Sequence, residues 1–368
     1  MKHFLKRAKN CFPCWSVVLF CLFGISLIVN AFIENNTAFS HAIHSTIGAG
    51  IRTALATLTS LIPFSLAEFL LLLSPVILFL ICFFMIRRLR RSLTAGIRYF
   101  IGFLSVMSLV VTVFIFGYHS CFYNENVEKT IGIERKDLSP EQLYDTAVLL
   151  IDAIRAEIPY VTYSETELSE MTFSYSQMNE KLNSAYLSLS ERYPSIPTFR
   201  SNTKPVMLSE PWTYTHISGM YTFITGEANV NTNYPDFIMI SSAAHEMAHQ
   251  RGIGKEDEAN FIAFLVCSLS DDPYVRYCGY ADVLNEVMNQ LYSANYDLYV
   301  KARAEMPQEL KNEYRAYSLF FDQYRENVAA NVSDTVNNAY ITSHNQPKGI
   351  QSYGLVADLV AAYMLSQQ

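Results

Sequence analysis

The chain has 368 residues, of which 51% are hydrophobic, and a formal net charge of −7. Its length fits two structural units. The charge is unevenly divided, because residues 1–118 carry 10 Lys/Arg and 2 Asp/Glu, whereas residues 119–368 carry 17 and 32. The acidic second part argues against a nucleic acid as partner, since binding to phosphates needs a positively charged surface.

Residues 1–118 are predicted to form a membrane domain. Its three long apolar segments each suffice to cross a bilayer about 30 Å thick, and they cover approximately residues 15–33, 66–86 and 97–118. Basic residues precede the first segment in Met1–Asn10 and follow the second in Arg87–Arg91. Because Lys and Arg mark the cytoplasmic ends of spans, we expect a multi-pass protein of the cell membrane with a cytoplasmic N-terminus. Residues 119–368 then form an extracytoplasmic domain.

The segment between the first two spans, residues 34–65, is predicted to lie outside. Within it, Ile43 to Leu61 is apolar enough for a helix that lies on the membrane surface or dips into it. A fourth span is disfavoured, because Arg52 would then sit in the middle of the bilayer, where a charge is costly.

The most informative pattern of the chain is an HExxH motif, HEMAH, at residues 245–249. Residues four apart lie on one face of a helix, so His245 and His249 can direct two imidazoles to one metal ion. Glu246 then stands beside them as a general base for a water molecule. The pattern predicts a metal-dependent hydrolase.

The surroundings of the motif favour a helix. Asp236 follows a proline and is expected to cap a helix that runs from Phe237 to about Arg251. Gly252 supplies the left-handed residue that ends it. A second apolar helix is predicted from Phe261 to about Leu269.

The residues after the motif carry a resemblance to known families. HExxH followed by E-x-E-A-N-x-x-A at 256–263 resembles the gluzincin group of zincins. The longer string HEMAHQRGIGKEDEANFIAF at 245–264, preceded by GEANVN at 226–231, is similar to a bacterial family of multi-pass membrane proteins with an extracytoplasmic HExxH domain of unknown function. The resemblance implies a zinc metallopeptidase fold with one Zn²⁺ and a glutamate on the following helix as third ligand.

Two carboxylates compete for the role of third ligand. On one helix Glu256 and Glu258 point about 200° apart, so that only one of them faces the histidines. In related families a polar residue four after the ligand supports a zinc-binding histidine, and Asn260 in that position favours Glu256. The connection from His249 to Glu256 is short for a gluzincin. It also resembles the metzincin pattern HExxHxxGxxH, in which the third ligand would fall at Lys255, and a protonated lysine does not bind metal.

The extracytoplasmic domain is predicted to be mainly α-helical with a small β-sheet. Segments 205–208 and 219–225 are β-like, and in zincins the edge strand before the HExxH helix holds an extended peptide by strand addition. A buried hairpin without a ligand is the alternative. Four residues of this region are candidates for substrate binding: Tyr221, Phe223, Glu227 and Asn229.

Stabilisation of a developing oxyanion needs a hydrogen-bond donor besides the metal. Tyr340, His344 and Tyr353 occur in the part of the chain where such a donor is expected, although each also fits a structural role. We expect a zinc metallopeptidase (a hydrolase) that is anchored in the lipid bilayer and cleaves peptides or proteins. The alternatives are a degenerate zincin domain that binds or senses, and a zinc amidase that acts on cell-wall peptide.

Overall fold

The computed structural model describes residues 12–367. The basic segment Met1–Asn10, which contributes to the predicted orientation, lies outside the described residues. The fold is mainly helical, as expected, with two small sheets.

Three helices are long and apolar enough to cross a membrane. They are α1 (Cys14–Asn35), α4 (Leu66–Arg91) and α5 (Leu93–Gly117), which a 3₁₀ turn at His119–Phe122 extends. The three predicted spans are therefore confirmed as helices. α5 packs against both α1 and α4.

The segment between α1 and α4 folds into short helices at the Gly117 end of α5. These are α2 (Thr37–Ile43), a π-helical turn (His44–Gly48) and α3 (Ala49–Ser60). The buried Arg52 guanidinium donates hydrogen bonds to the carbonyl oxygens of Gly117 at 2.8 Å and His44 at 3.2 Å. Backbone carbonyls therefore partner both terminal nitrogens of Arg52, and the segment forms no fourth long apolar helix.

The rest of the described chain is a helical domain. Its helices before the HExxH region are α6 (Val127–Ile131), α7 (Pro140–Glu157), α8 (Tyr175–Arg192) and α9 (Ser209–Thr213). Those from the HExxH region onward are α10 (Asp236–Gln250), α11 (Glu256–Ser268), α12 (Pro273–Ala294), α13 (Tyr296–Glu305), α14 (Gln308–Phe321), α15 (Val328–Ser343) and α16 (Val356–Ser366). The main hydrophobic core lies between α7, α8, α10, α11, α12 and α16.

A three-stranded sheet lies beside α10. It consists of β3 (Lys204–Pro205), β4 (Gly219–Thr222) and β5 (Glu227–Val230) in the order β3-β5-β4. β3 is parallel to β5, and β4 is antiparallel to it, with Gly219 opposite Val230. β4 is therefore an edge strand. A separate hairpin pairs β1 (Thr162–Tyr163) with β2 (Ser169–Glu170).

Some predicted boundaries are wrong. The pair Asp272-Pro273 predicts the start of a single helix to about Tyr299. The structure has two helices there, because Asn295 leaves the helical conformation and its side chain caps α13. Asp236 does not cap α10 but accepts a hydrogen bond from the backbone N–H of Met171 at 2.7 Å. The last helix begins at Val356, after a 3₁₀ segment.

Candidate metal centre

The HExxH residues lie in the last turns of α10, where every side chain from Met239 to Gln250 is buried. The sheet covers one side of this helix, and α11 and α12 cover the others. Gly252 follows with φ of +97°, which confirms the predicted left-handed end. A Cβ at this position would clash with Arg52 and His44, so glycine also permits the close approach of α10 to the segment before α4.

Three side chains converge at the end of α10. The Nε2 atoms of His245 and His249 lie 3.2 Å and 3.3 Å from the same carboxylate oxygen, Oε2 of Glu256. One potential ligand atom from each residue lies within 4.8 Å of the others. Glu256 reaches the two histidines because α11 begins there, six residues after His249, and packs against α10.

Each histidine is held through its other ring nitrogen. Nδ1 of His245 donates to Oδ1 of Asn260 at 2.6 Å, and Nδ1 of His249 donates to the carbonyl oxygen of Ile253 at 2.7 Å. Because Nδ1 is engaged in this way, Nε2 is the ring nitrogen that each histidine turns towards the cluster. This second set of contacts is what metal-ligating histidines show in proteins.

Glu246 lies next to the cluster and is buried. Its Oε2 atom has no hydrogen-bond partner within the described part of the chain. A Cβ added to Gly219 on β4 would come within 2.6 Å of the Glu246 side chain, so only glycine lets the edge strand pass so closely. Burial raises the pKa of Glu246 above its ordinary value, which makes its carboxylate a stronger base.

The side chains of the cluster shift one another's pKa values. Burial disfavours the charged form of Glu256, but the attraction and hydrogen bonds of the two histidines outweigh it and hold its pKa well below the usual range. Burial also disfavours the charged form of His249. The nearby Glu256 carboxylate outweighs this effect and raises the pKa of His249 to about 9. The site therefore favours positive charge beside a carboxylate.

The tyrosines proposed as donors occupy different positions. The Tyr353 ring stacks at 6.4 Å from that of His245, and its hydroxyl is hydrogen-bonded to Glu256 and Asn337. The ring of Tyr340 packs instead against His344 at 4.4 Å. Burial raises the pKa of both tyrosines, so each keeps its proton at neutral pH. Tyr353 is the better placed donor.

Of the other predicted site residues, Glu258 and Phe223 lie away from the cluster, whereas the backbone of Tyr221 is hydrogen-bonded to Glu246. Glu258 is paired with Lys255 at 3.1 Å, and its pKa is raised to about 7, mainly by burial. Phe223 packs its ring on Phe114 of α5 at 4.9 Å. Tyr221 belongs to β4, with its ring 5.0 Å from that of Tyr118.

Glu227 and Asn229 were candidates for the substrate cleft. The structure instead buries both side chains, and each of them connects segments of the fold through hydrogen bonds. Glu227 accepts hydrogen bonds from the backbone N–H groups of Leu66 and Ala67 at the start of α4. Asn229 contacts the Ser65 hydroxyl at 2.6 Å and donates to the carbonyl of Met220. The contacts with Ser65, Leu66 and Ala67 join residues more than 150 positions apart, so nothing in the local sequence could indicate them.

Sequence reasoning also missed two residues that support the cluster. Gln346 accepts a hydrogen bond from the backbone N–H of Glu256 at 3.0 Å and so fixes the start of α11. Arg251 is buried after the motif between the rings of Tyr186 and Phe199, 3.9 Å and 4.7 Å from their centres. The position of Arg251 directly after the motif was the only sequence signal for its role, because the two rings that enclose it are distant in sequence.

A family model described as a protein of unknown function (DUF3810) matches residues 45–361. The chain belongs to this family. The DUF3810 match includes α4, α5 and the whole cluster, and it confirms the predicted resemblance to a family of unknown function. No curated protein and no solved structure matches the chain.

Proposed function

We propose that the protein is a membrane-anchored, zinc-dependent hydrolase of peptide bonds. The observation that carries this proposal is the convergence of His245, His249 and Glu256, with both Nδ1 atoms hydrogen-bonded elsewhere and both Nε2 atoms facing the Glu256 carboxylate. Two histidines and one carboxylate are a known ligand set of catalytic zinc, which keeps a further coordination position open.

The residues present fit such an ion. The donor set is two imidazole nitrogens and one carboxylate oxygen, and a carboxylate oxygen of Glu246 is buried beside them without a partner in the described part of the chain. An unsatisfied buried carboxylate oxygen is costly unless a water molecule or ion occupies the adjacent space. When bound, zinc would supply Lewis-acid activation of water and of the substrate carbonyl.

The chain's own residues then have distinct tasks. Glu246 takes a proton from the attacking water and passes it to the leaving amine, as its position and raised pKa favour. The Tyr353 hydroxyl, hydrogen-bonded to Glu256, donates to the developing negative charge. The free edge of β4, with Gly219 against Glu246, offers backbone groups to an extended peptide.

The orientation is also part of the proposal. Arg87–Arg91 at the end of α4 argue for a cytoplasmic location of the short turn to α5. Three crossings then put the cluster outside the cytoplasm.

The proposal is tested with the full-length protein, its zinc-loaded form and a broad peptide library. Glu246→Gln should retain zinc and fold but lose hydrolysis by about 100- to 10,000-fold, the usual contribution of a general base. Glu258→Gln is the matched control, because this neighbouring buried carboxylate, with its pKa near 7, is paired with Lys255. Equal inactivity of the wild type and Glu246→Gln would favour a domain that binds or senses.

A further inference from the structure

Two turns of the chain lie together at the Leu66 end of α4 and expose large apolar side chains. Leu61 and Phe64 belong to the turn before this helix and are 80% and 41% exposed. Met207 and Leu208 belong to the turn between β3 and α9 and are 72% and 46% exposed. Here we call these four residues the apolar rim.

The second turn is fixed to α4 by a carboxylate. Glu68 lies in the first turn of this long apolar helix and accepts hydrogen bonds from the backbone N–H groups of Met207 and Leu208, both at 2.8 Å. A carboxylate at the edge of a bilayer is costly unless it is hydrogen-bonded. The helical domain supplies these partners, and Met207 and Leu208 are thereby held at the level where α4 begins.

A second carboxylate makes the same kind of contact in the opposite direction. Glu227 of β5 accepts hydrogen bonds from the N–H groups of Leu66 at 3.0 Å and Ala67 at 2.8 Å. These are free amides at a helix N-terminus, where negative charge is favoured. The Lys204 ammonium of β3 also donates to the carbonyl of Ile62. The two turns are therefore joined to each other as well as to α4.

We propose that the apolar rim is a lipid-contacting surface, set into the edge of the bilayer beside α4. The occupant is lipid because the rim is continuous with the exposed apolar side of α4, where Phe69 is 44% exposed. Together the four side chains present apolar surface that water would otherwise cover. Beside the Leu66 end of α4, the helical domain thus contacts the membrane through the turn that carries Met207 and Leu208. This contact adds to the tether that α4 and α5 provide.

The test uses the full-length protein in nanodiscs of lipids brominated at defined depths. The chain has two tryptophans, so Trp15→Phe with Trp212→Phe gives a background for a single probe. Met207→Trp in this background should lose fluorescence most with bromines near the carboxyl end of the acyl chains, since interfacial side chains enter by only about 5–10 Å. Tyr296→Trp, an exposed position on α13, is the control and should keep its fluorescence.

Equal fluorescence of the Met207→Trp probe in brominated and ordinary lipid would overturn the proposal and would leave a second protein copy or a peptide as the cover of the rim. The role of Glu68 is tested in the same background. Glu68→Ala should reduce the quenching of the Met207→Trp probe, whereas Glu210→Ala, an exposed carboxylate in the same region, should not. Unchanged quenching in Glu68→Ala would show that the carboxylate does not position the rim.

Discussion

The hydrogen bond between His245 and Asn260 offers a quantitative test of the metal centre. It joins Nδ1 and Oδ1 at 2.6 Å in a largely buried position, so its loss leaves the imidazole free to rotate and its Nδ1–H without an acceptor. Removal of such a contact usually lowers metal affinity about 10–100-fold, which is about 1.4–2.7 kcal/mol. We therefore expect Asn260→Ala to bind zinc more weakly by this factor, and Asn260→Asp, which keeps the acceptor, to stay near the wild type.

Competition with a chelator of known affinity measures these differences on the full-length protein. Asn260 also contacts the Tyr353 carbonyl, so a control must separate the two effects. Gln290→Ala serves this purpose, because Gln290 donates to the neighbouring Gly354 carbonyl at 2.7 Å and has no hydrogen bond to His245 in the described structure. If Asn260→Ala and Gln290→Ala weaken zinc binding equally, or neither does, the support of His245 by Asn260 is refuted.

Three further predictions concern stability and topology. Glu227→Ala should lower the free energy of unfolding by about 1–3 kcal/mol through loss of its bonds to the α4 amides, measured by chemical denaturation against Glu210→Ala. Burial raises the pKa of Glu313 above its ordinary value of about 4.5, so the free energy of unfolding should fall as the pH rises above about 4.5. Glu313→Gln should remove this part of the pH dependence, and parallel pH profiles of the two proteins would contradict the prediction. Reporter fusions after Arg91 should be cytoplasmic and those after Tyr123 external, and the reverse pattern would exclude an outward-facing site.

The parts of the fold that were predicted correctly rest on local signals. The three long apolar segments gave the positions of α1, α4 and α5 because length and composition decide whether a helix can span a bilayer. A local signal of the same kind is the capping box, which four consecutive residues carry. In the structure Ser139 and Ser174 each begin a helix in this way, and a glutamine three residues later completes the pair of hydrogen bonds. Within the cluster, the spacing of the HExxH motif and the position of Asn260 were sufficient to favour Glu256.

The parts that were missed depend on contacts between distant segments. Glu227 and Asn229 precede the motif and were expected in the cleft, yet their partners are at the start of α4, more than 150 residues earlier. Asn295 stands between Ser293 and Asp297 in a stretch without glycine or proline, so the local sequence offered no clear signal that the helix ends there. Tyr353 could not be distinguished from Tyr340, because the hydrogen bond of Tyr353 to Glu256 exists only in the folded chain.

Metal analysis of the full-length wild type, Glu256→Gln and Glu258→Gln tests the central claim most directly. His245, His249 and Glu256 should retain one zinc ion per chain in the wild type and in Glu258→Gln. Glu256→Gln should lose the ion on dialysis, because it replaces the oxygen that lies within 3.3 Å of both imidazoles. A wild-type protein without bound metal after zinc loading, or loss of zinc from Glu258→Gln and not from Glu256→Gln, would contradict the assignment.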